Sequence, residues 1–141
     1  MRYPKAEKSQ VEFFAEHGWL VVEDVIEPAE IAEVQRRCQV ILDKKDKLAF
    51  DWAWEKGKSK AERQFKIVQG SPTLVWPDIA NAPFRRWAIE FGSALLGNDV
   101  EFWYDQFLAK PPRDGAPTYW HQDEGYWGRN LEGFGLTSWL P

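Results

Sequence analysis

Residues 102–127 read FWYDQFLAKPPRDGAPTYWHQDEGYW, and the rest of the chain is best read outward from them. The aromatic run across 100–110 has the composition of a strand. It is broken by PPRDGAP at 111–117, a loop by composition. Two further short strands are expected at 118–123 and 136–140, separated by a glycine-containing stretch.

His121 and Asp123 lie two residues apart on the first of these strands. Side chains at i and i+2 share a strand face, so both can reach one ion. Imidazole with carboxylate suits Fe(II), leaves positions open for oxygen and a co-substrate, and needs a second histidine to complete a facial triad. By spacing alone the pair equally fits a hydrogen-bonded histidine at a polar strand end. With 22 acidic residues in 141, an acid two positions from a histidine is a weak signal.

Toward the N-terminus the pattern is helical. Ser9 and Glu12 have capping-box spacing and open a short helix with Val11, Phe14 and Ala15 inward, and Gly18 is placed to end it. Residues 19–26, WLVVEDVI, read as a strand. Pro28 sits at a first helical position, and Ile31, Val34, Cys38, Ile41 and Leu42 form one apolar stripe behind it. From Asp43 to Gln64 the pattern dissolves into charge around Trp52 and Trp54, which reads as a surface loop. Residues 65–69 can form a strand. Pro83 opens a second amphipathic helix with Phe84, Trp87, Ala88, Phe91 and Leu95 on one face, closed by Gly97 and Asn98.

Helices first and strands afterwards predict an α+β domain. The expected boundaries are one domain over 1–141, helical to about residue 98, with the first core strands and the His121–Asp123 motif from about 99. The apolar content of 44 % and charged content of 28 % are those of a soluble globular protein. A net charge of −4 gives no field to attract nucleic acid or an anionic membrane. The polar N-terminus resembles no signal peptide and no run reaches membrane-spanning length, so a cytoplasmic protein is expected. Cys38, the only cysteine, reads as a small buried hydrophobe. Nine tryptophans fit either a ring-filled core or a ring-lined ligand pocket.

The run from Phe102 to Trp127 resembles the phytanoyl-CoA dioxygenase family of Fe(II)/2-oxoglutarate oxygenases. Members show a strand ending in Lys-Pro-Pro or Lys-Pro-Gly, a short loop, then Trp-His-Gln-Asp and an aromatic pair. The counterparts are Lys110-Pro111-Pro112, Trp120-His121-Gln122-Asp123 and Tyr126-Trp127. FFAEHGWLVVEDVIEPAEIAEVQRRC at 13–38 is similar to the family's opening helix, strand and helix, and GLTSWLP at 135–141 to the strand after the motif.

The resemblance implies N-terminal helices packed on an incomplete double-stranded β-helix of jelly-roll or cupin type. It implies His121 and Asp123 as iron ligands, with Gln106, Trp139 and Lys66 near 2-oxoglutarate. Trp120, Tyr126 and Trp127 become candidates for a cavity wall. The implied activity is hydroxylation of a C–H bond in a small-molecule substrate. Halogenating members carry a small residue in the carboxylate position, where this chain has Asp123. The family pattern also asks for a distal histidine and a basic residue that pairs with 2-oxoglutarate. His17, the other histidine, reads instead as a helix-end residue. The chain is therefore expected to be a partial sequence, with a second chain supplying the remainder as a less favoured arrangement. The rival readings are a non-catalytic aromatic-rich ligand-binding module and an inactive fragment.

Overall fold

A computed structural model describes residues 3–51, 59, 65–113, 115–123, 125 and 135–141. Trp52, Trp54, Tyr126 and Trp127 lie outside the described residues. Helix α1 spans Lys8–His17 and α2 spans Pro28–Asp43. A single helical turn, α3 (Lys45–Leu48), leads into β1 (Ala49–Asp51). Strand β2 (Val68–Gly70) is followed by the short helix α4 (Pro72–Val75) and a 3-10 turn at Pro77–Asn81. Helix α5 (Pro83–Leu96) and β3 (Phe107–Ala109) complete the described elements. The three strands form one antiparallel sheet in the order β1-β2-β3. The mixed α+β class expected from the sequence is what the described residues form.

The helices begin and end where backbone chemistry directs. Pro28 and Pro83 occupy first-turn positions, where the missing N–H costs nothing. Gly18 (φ 75°) and Gly97 (φ 68°) close α1 and α5 in the left-handed conformation that a Cβ disfavours. The start of α1 differs from expectation by two residues. The Gln10 side chain accepts from the Glu7 N–H at 2.9 Å, so the reciprocal cap is Glu7 with Gln10, the same three-residue spacing read at Ser9 and Glu12. Ala15 is exposed rather than inward.

The core gathers around α2. Ile41 is fully buried, and Cys38, Val25, Ile67, Val68, Ile79, Ala82 and Phe91 are buried with it. α1 packs on α5 and α2 on α4. The N-terminal stretch is strapped across both long helices: Trp87 Nε1 donates to the Pro4 carbonyl at 2.8 Å, and the Tyr3 hydroxyl donates to Glu30. Burial, and then the nearby Asp105 charge, push the Cys38 thiol up, which keeps it a neutral core side chain.

Gly70 is where the sheet meets α2. A Cβ there would sit 2.6 Å from Ile41 Cγ2 and 3.3 Å from the Leu48 carbonyl oxygen. The carbonyl belongs to the backbone and cannot rotate away. Gly70→Ala is expected to destabilise the fold by about 1–3 kcal/mol, through overpacking rather than strand propensity. Urea denaturation would show a lower midpoint at an unchanged slope.

The strand expectations need correction in four places. Residues 19–26 form no ladder with any described strand. Asp24 turns to φ 55°, which ends the extended run and drives Val25 into the core. Of 100–110 only Phe107–Ala109 is paired, because Pro72 opens α4 directly after β2 and leaves nothing for the earlier residues to pair with. Residues 118–123 and 136–140 are not strands among the described residues. Conversely β1 lies inside the stretch read as a charged loop, and β2 falls at Val68–Gly70 rather than 65–69. The described residues show this three-stranded sheet and no jelly roll. No helix among them is long and apolar enough to cross a membrane.

Candidate metal and co-substrate site

The path to His121 starts at β3. Residues of the sheet alternate in burial: Phe107 and Ala109 turn toward the helices, while Leu108 is exposed. Register pairs Phe50 with Gln69 and Gln69 with Leu108, so these three share the outer face. Gln106, two residues before Leu108, is also exposed, and its Oε1 accepts from Gln69 Nε2 at 3.1 Å. That bond leaves the Gln106 NH2 to act as donor to a ligand.

After β3 the chain loops back to the residues that lead into β2. Lys110 Nζ donates to Thr118 Oγ1 at 2.7 Å, bridging the two ends of the loop. Arg113 takes a left-handed φ of 66° inside it. The Ala116 N–H donates to the Lys66 carbonyl at 3.4 Å, and the Asp51 carboxylate accepts from the Lys66 and Ile67 N–H groups at 3.3 and 3.2 Å. The backbone of Lys66 is thereby tied to the loop that delivers His121.

His121 and Asp123 do meet, though not by the strand geometry expected. The Gly125 N–H donates to the Gln122 carbonyl at 3.1 Å, so the motif runs into a turn. His121 Nε2 and Asp123 Oδ1 stand 3.2 Å apart, both side chains being partly exposed. His121 Nδ1 is 2.7 Å from the Tyr119 carbonyl oxygen. A carbonyl can only accept, so Nδ1 carries the proton and Nε2 is left to point its lone pair, or a second proton, at Asp123. Thr137 Oγ1 donates to the other carboxylate oxygen of Asp123 at 3.5 Å.

This geometry fits a first-row divalent ion. Bonds of about 2.1 Å to two cis donors place those donors about 3 Å apart. A ring nitrogen whose partner nitrogen is held by a backbone carbonyl is the usual arrangement of a ligating histidine. Among the described residues no third His, Cys, Asp or Glu joins the pair in a cluster. His17 lies against Phe13 in a tilted ring contact at 4.2 Å between centroids, at the end of α1, as a structural residue would.

The aromatic expectations divide. Trp139 is 85 % exposed and Trp120 wholly so, which places neither in a closed wall. The segment carrying Trp139 is anchored just ahead of that ring, by Thr137 at Asp123 and by Leu136 lying near Gly92 of α5. Trp103 and Tyr104 are exposed as well. The many tryptophans therefore neither simply fill the core nor line an enclosed pocket among the described residues.

Sequence reading missed Asp105. Its carboxylate accepts from Ser71 Oγ at 2.6 Å, Thr73 Oγ1 at 2.7 Å and Arg85 Nη2 at 2.6 Å, with the Thr73 N–H at 3.4 Å. Both members of the Arg85–Asp105 pair have side chains only 11 % exposed, and the guanidinium lies 4.1 Å from the Phe102 ring centre. Burial pushes the carboxyl up, but the bonds from Ser71, Arg85 and Thr73 outweigh it and hold the group below the ordinary carboxylate value. One signal was available: an acid within the aromatic run FWYDQFLA requires a partner when that run packs.

Comparison with curated proteins and with solved structures gives no match. The family model described as Phytanoyl-CoA dioxygenase (PhyH) matches residues 14–140, nearly the whole chain. That match spans the opening helices, the sheet and the His121–Asp123 turn together, and the chain belongs to the phytanoyl-CoA dioxygenase family.

Proposed function

We propose that this chain is part of an Fe(II)- and 2-oxoglutarate-dependent hydroxylase, with His121 and Asp123 as two protein ligands of the iron. The observation that carries the reading is the 3.2 Å approach of His121 Nε2 to Asp123 Oδ1, with Nδ1 committed to a carbonyl. Family membership supplies the chemistry, and the pair supplies a place for it.

When bound, Fe(II) would let O2 act as the oxidant, one oxygen atom entering the substrate C–H bond and the other the succinate left when 2-oxoglutarate gives up its two electrons and carbon dioxide. His121 contributes a neutral nitrogen donor whose orientation is set by Tyr119. Asp123 contributes the negative charge, its second oxygen steadied by Thr137. Gln106 would offer its NH2 to a co-substrate carboxylate, Lys66 would supply a positive charge to it, and Trp139 would provide a ring to pack on the keto acid. The reading includes a double-stranded β-helix built outward from the three-stranded sheet, within a single domain. The substrate is a small molecule, and the compartment is the cytoplasm.

Two protein donors make a weak chelate, and a keto acid that adds two more oxygens strengthens it. Binding of the two is therefore reciprocal. Titration with Mn(II), which takes the same donors without reacting with oxygen, is expected to show tighter metal binding when 2-oxoglutarate is present. The affinity for 2-oxoglutarate should rise by the same factor when metal is present. Absence of metal binding, or binding without this coupling, would sink the hydroxylase reading and favour the aromatic-rich ligand-binding module.

A further inference from the structure

We propose that Asp105 is a positioning residue for Gln106, a role that rests on the co-substrate reading of Gln106 given above. The β2–β3 ladder ends at the pair Gly70 and Phe107. Gln106 is thus the first residue past the ladder, and Asp105 the second. Strand ends of this kind fray unless something other than backbone pairing holds them. Here the holder is the Asp105 carboxylate, which gathers Ser71 and Thr73 from the chain leaving β2 and Arg85 from α5.

Gln106 is therefore suspended between two anchors, the Phe107 ladder pair on one side and the Asp105 cluster on the other. Both anchors point toward the helices, since Phe107 and Asp105 are the less exposed residues of this run. Alternation then sends the Gln106 side chain to the outer face, where Gln69 takes its Oε1. A slip of one residue would turn Gln106 inward and Asp105 outward. Arg85 forbids that slip, because its buried Nη1 has no partner among the described residues and its charge is met by Asp105. The cluster pre-organises a donor that otherwise has to be ordered at the moment of binding.

The test is a double-mutant cycle read as 2-oxoglutarate dissociation constants in the presence of Mn(II), followed by tryptophan fluorescence. Gln106→Ala alone examines the reading on which the proposal rests, and is expected to weaken binding about tenfold. Asp105→Asn is expected to weaken it by a similar factor. The double variant should be no weaker than the worse single one, because Asp105 acts through the amide already removed. Losses that multiply to about a hundredfold would show an independent, general structural effect and overturn the proposal. An Asp105→Asn variant with unchanged binding would overturn it too. Unchanged binding in Gln106→Ala would remove the co-substrate role and the positioning role together. Should Asp105→Asn fail to fold, Ser71→Ala and Thr73→Val each remove one of the hydrogen bonds and enter the same cycle with the same expectations.

Discussion

His121→Ala is expected to lower metal affinity by more than about 100-fold while leaving the fold in place. Losing a partner behind a ligating histidine already costs about 10–100-fold, and losing the histidine itself removes a bond. His121 makes its contacts with Tyr119 and Asp123 at a partly exposed position, so its contribution to stability should be small, about 0.5–1 kcal/mol. Asp123→Ala should behave alike, and the double variant should be little worse than either single one, since half a chelate is already ineffective. Metal titration alongside thermal melting checks both parts. A His121→Ala protein that binds Mn(II) as the native chain does would remove the pair from any metal role.

The second large effect belongs to Asp105. Truncation to alanine leaves Arg85 as a buried cation and strips the Ser71 and Thr73 hydroxyls of their acceptor. Breaking one side of a buried, hydrogen-bonded ion pair costs about 3–5 kcal/mol. Against a typical domain stability of about 5–15 kcal/mol, that is a large share. Replacing both partners by apolar residues, as in Arg85→Met with Asp105→Leu, should recover most of the loss, since no unpaired charge remains. Failure of the double variant to recover stability beyond Asp105→Ala would show that the hydroxyl bonds, rather than the ion pair, hold the strand end.

The same carboxylate sets an acid limb. Its folded pKa lies below the unfolded value of about 3.9. Its contribution is therefore present above about pH 4 and is lost as pH falls through the folded value. Asp105→Asn should flatten this part of the stability profile, measured as the urea midpoint between neutral and acid pH. A profile as steep as that of the native protein would place the acid sensitivity on other carboxylates.

Much of the helical framework was legible in the sequence. Prolines at Pro28 and Pro83, glycines at Gly18 and Gly97, and the stripe through Cys38 and Ile41 act within a few residues of themselves. Their consequences follow from backbone geometry and periodicity, whatever the rest of the chain does. Strands were read less well, because a strand exists only where a partner lies beside it. WLVVEDVI has the composition for one and finds no described partner, whereas Ala49–Asp51, set in a charged stretch, becomes the strand that pairs with β2.

His121 and Asp123 show the same division. Their residue types and their place after Lys110-Pro111-Pro112 were enough to nominate the pair. The reason first given, a shared strand face, was not the one that applies: a turn at 122–125 brings the two together, and the Tyr119 carbonyl sets the ring. Asp105 lay unremarked in an aromatic run, since its partners stand 34, 32 and 20 residues away at Ser71, Thr73 and Arg85. Local chemistry chose the pair at His121 and the ends of the helices. Which strands exist, which face Gln106 takes and what Asp105 holds depend on long-range contacts, whose energies appear only when distant segments pack together.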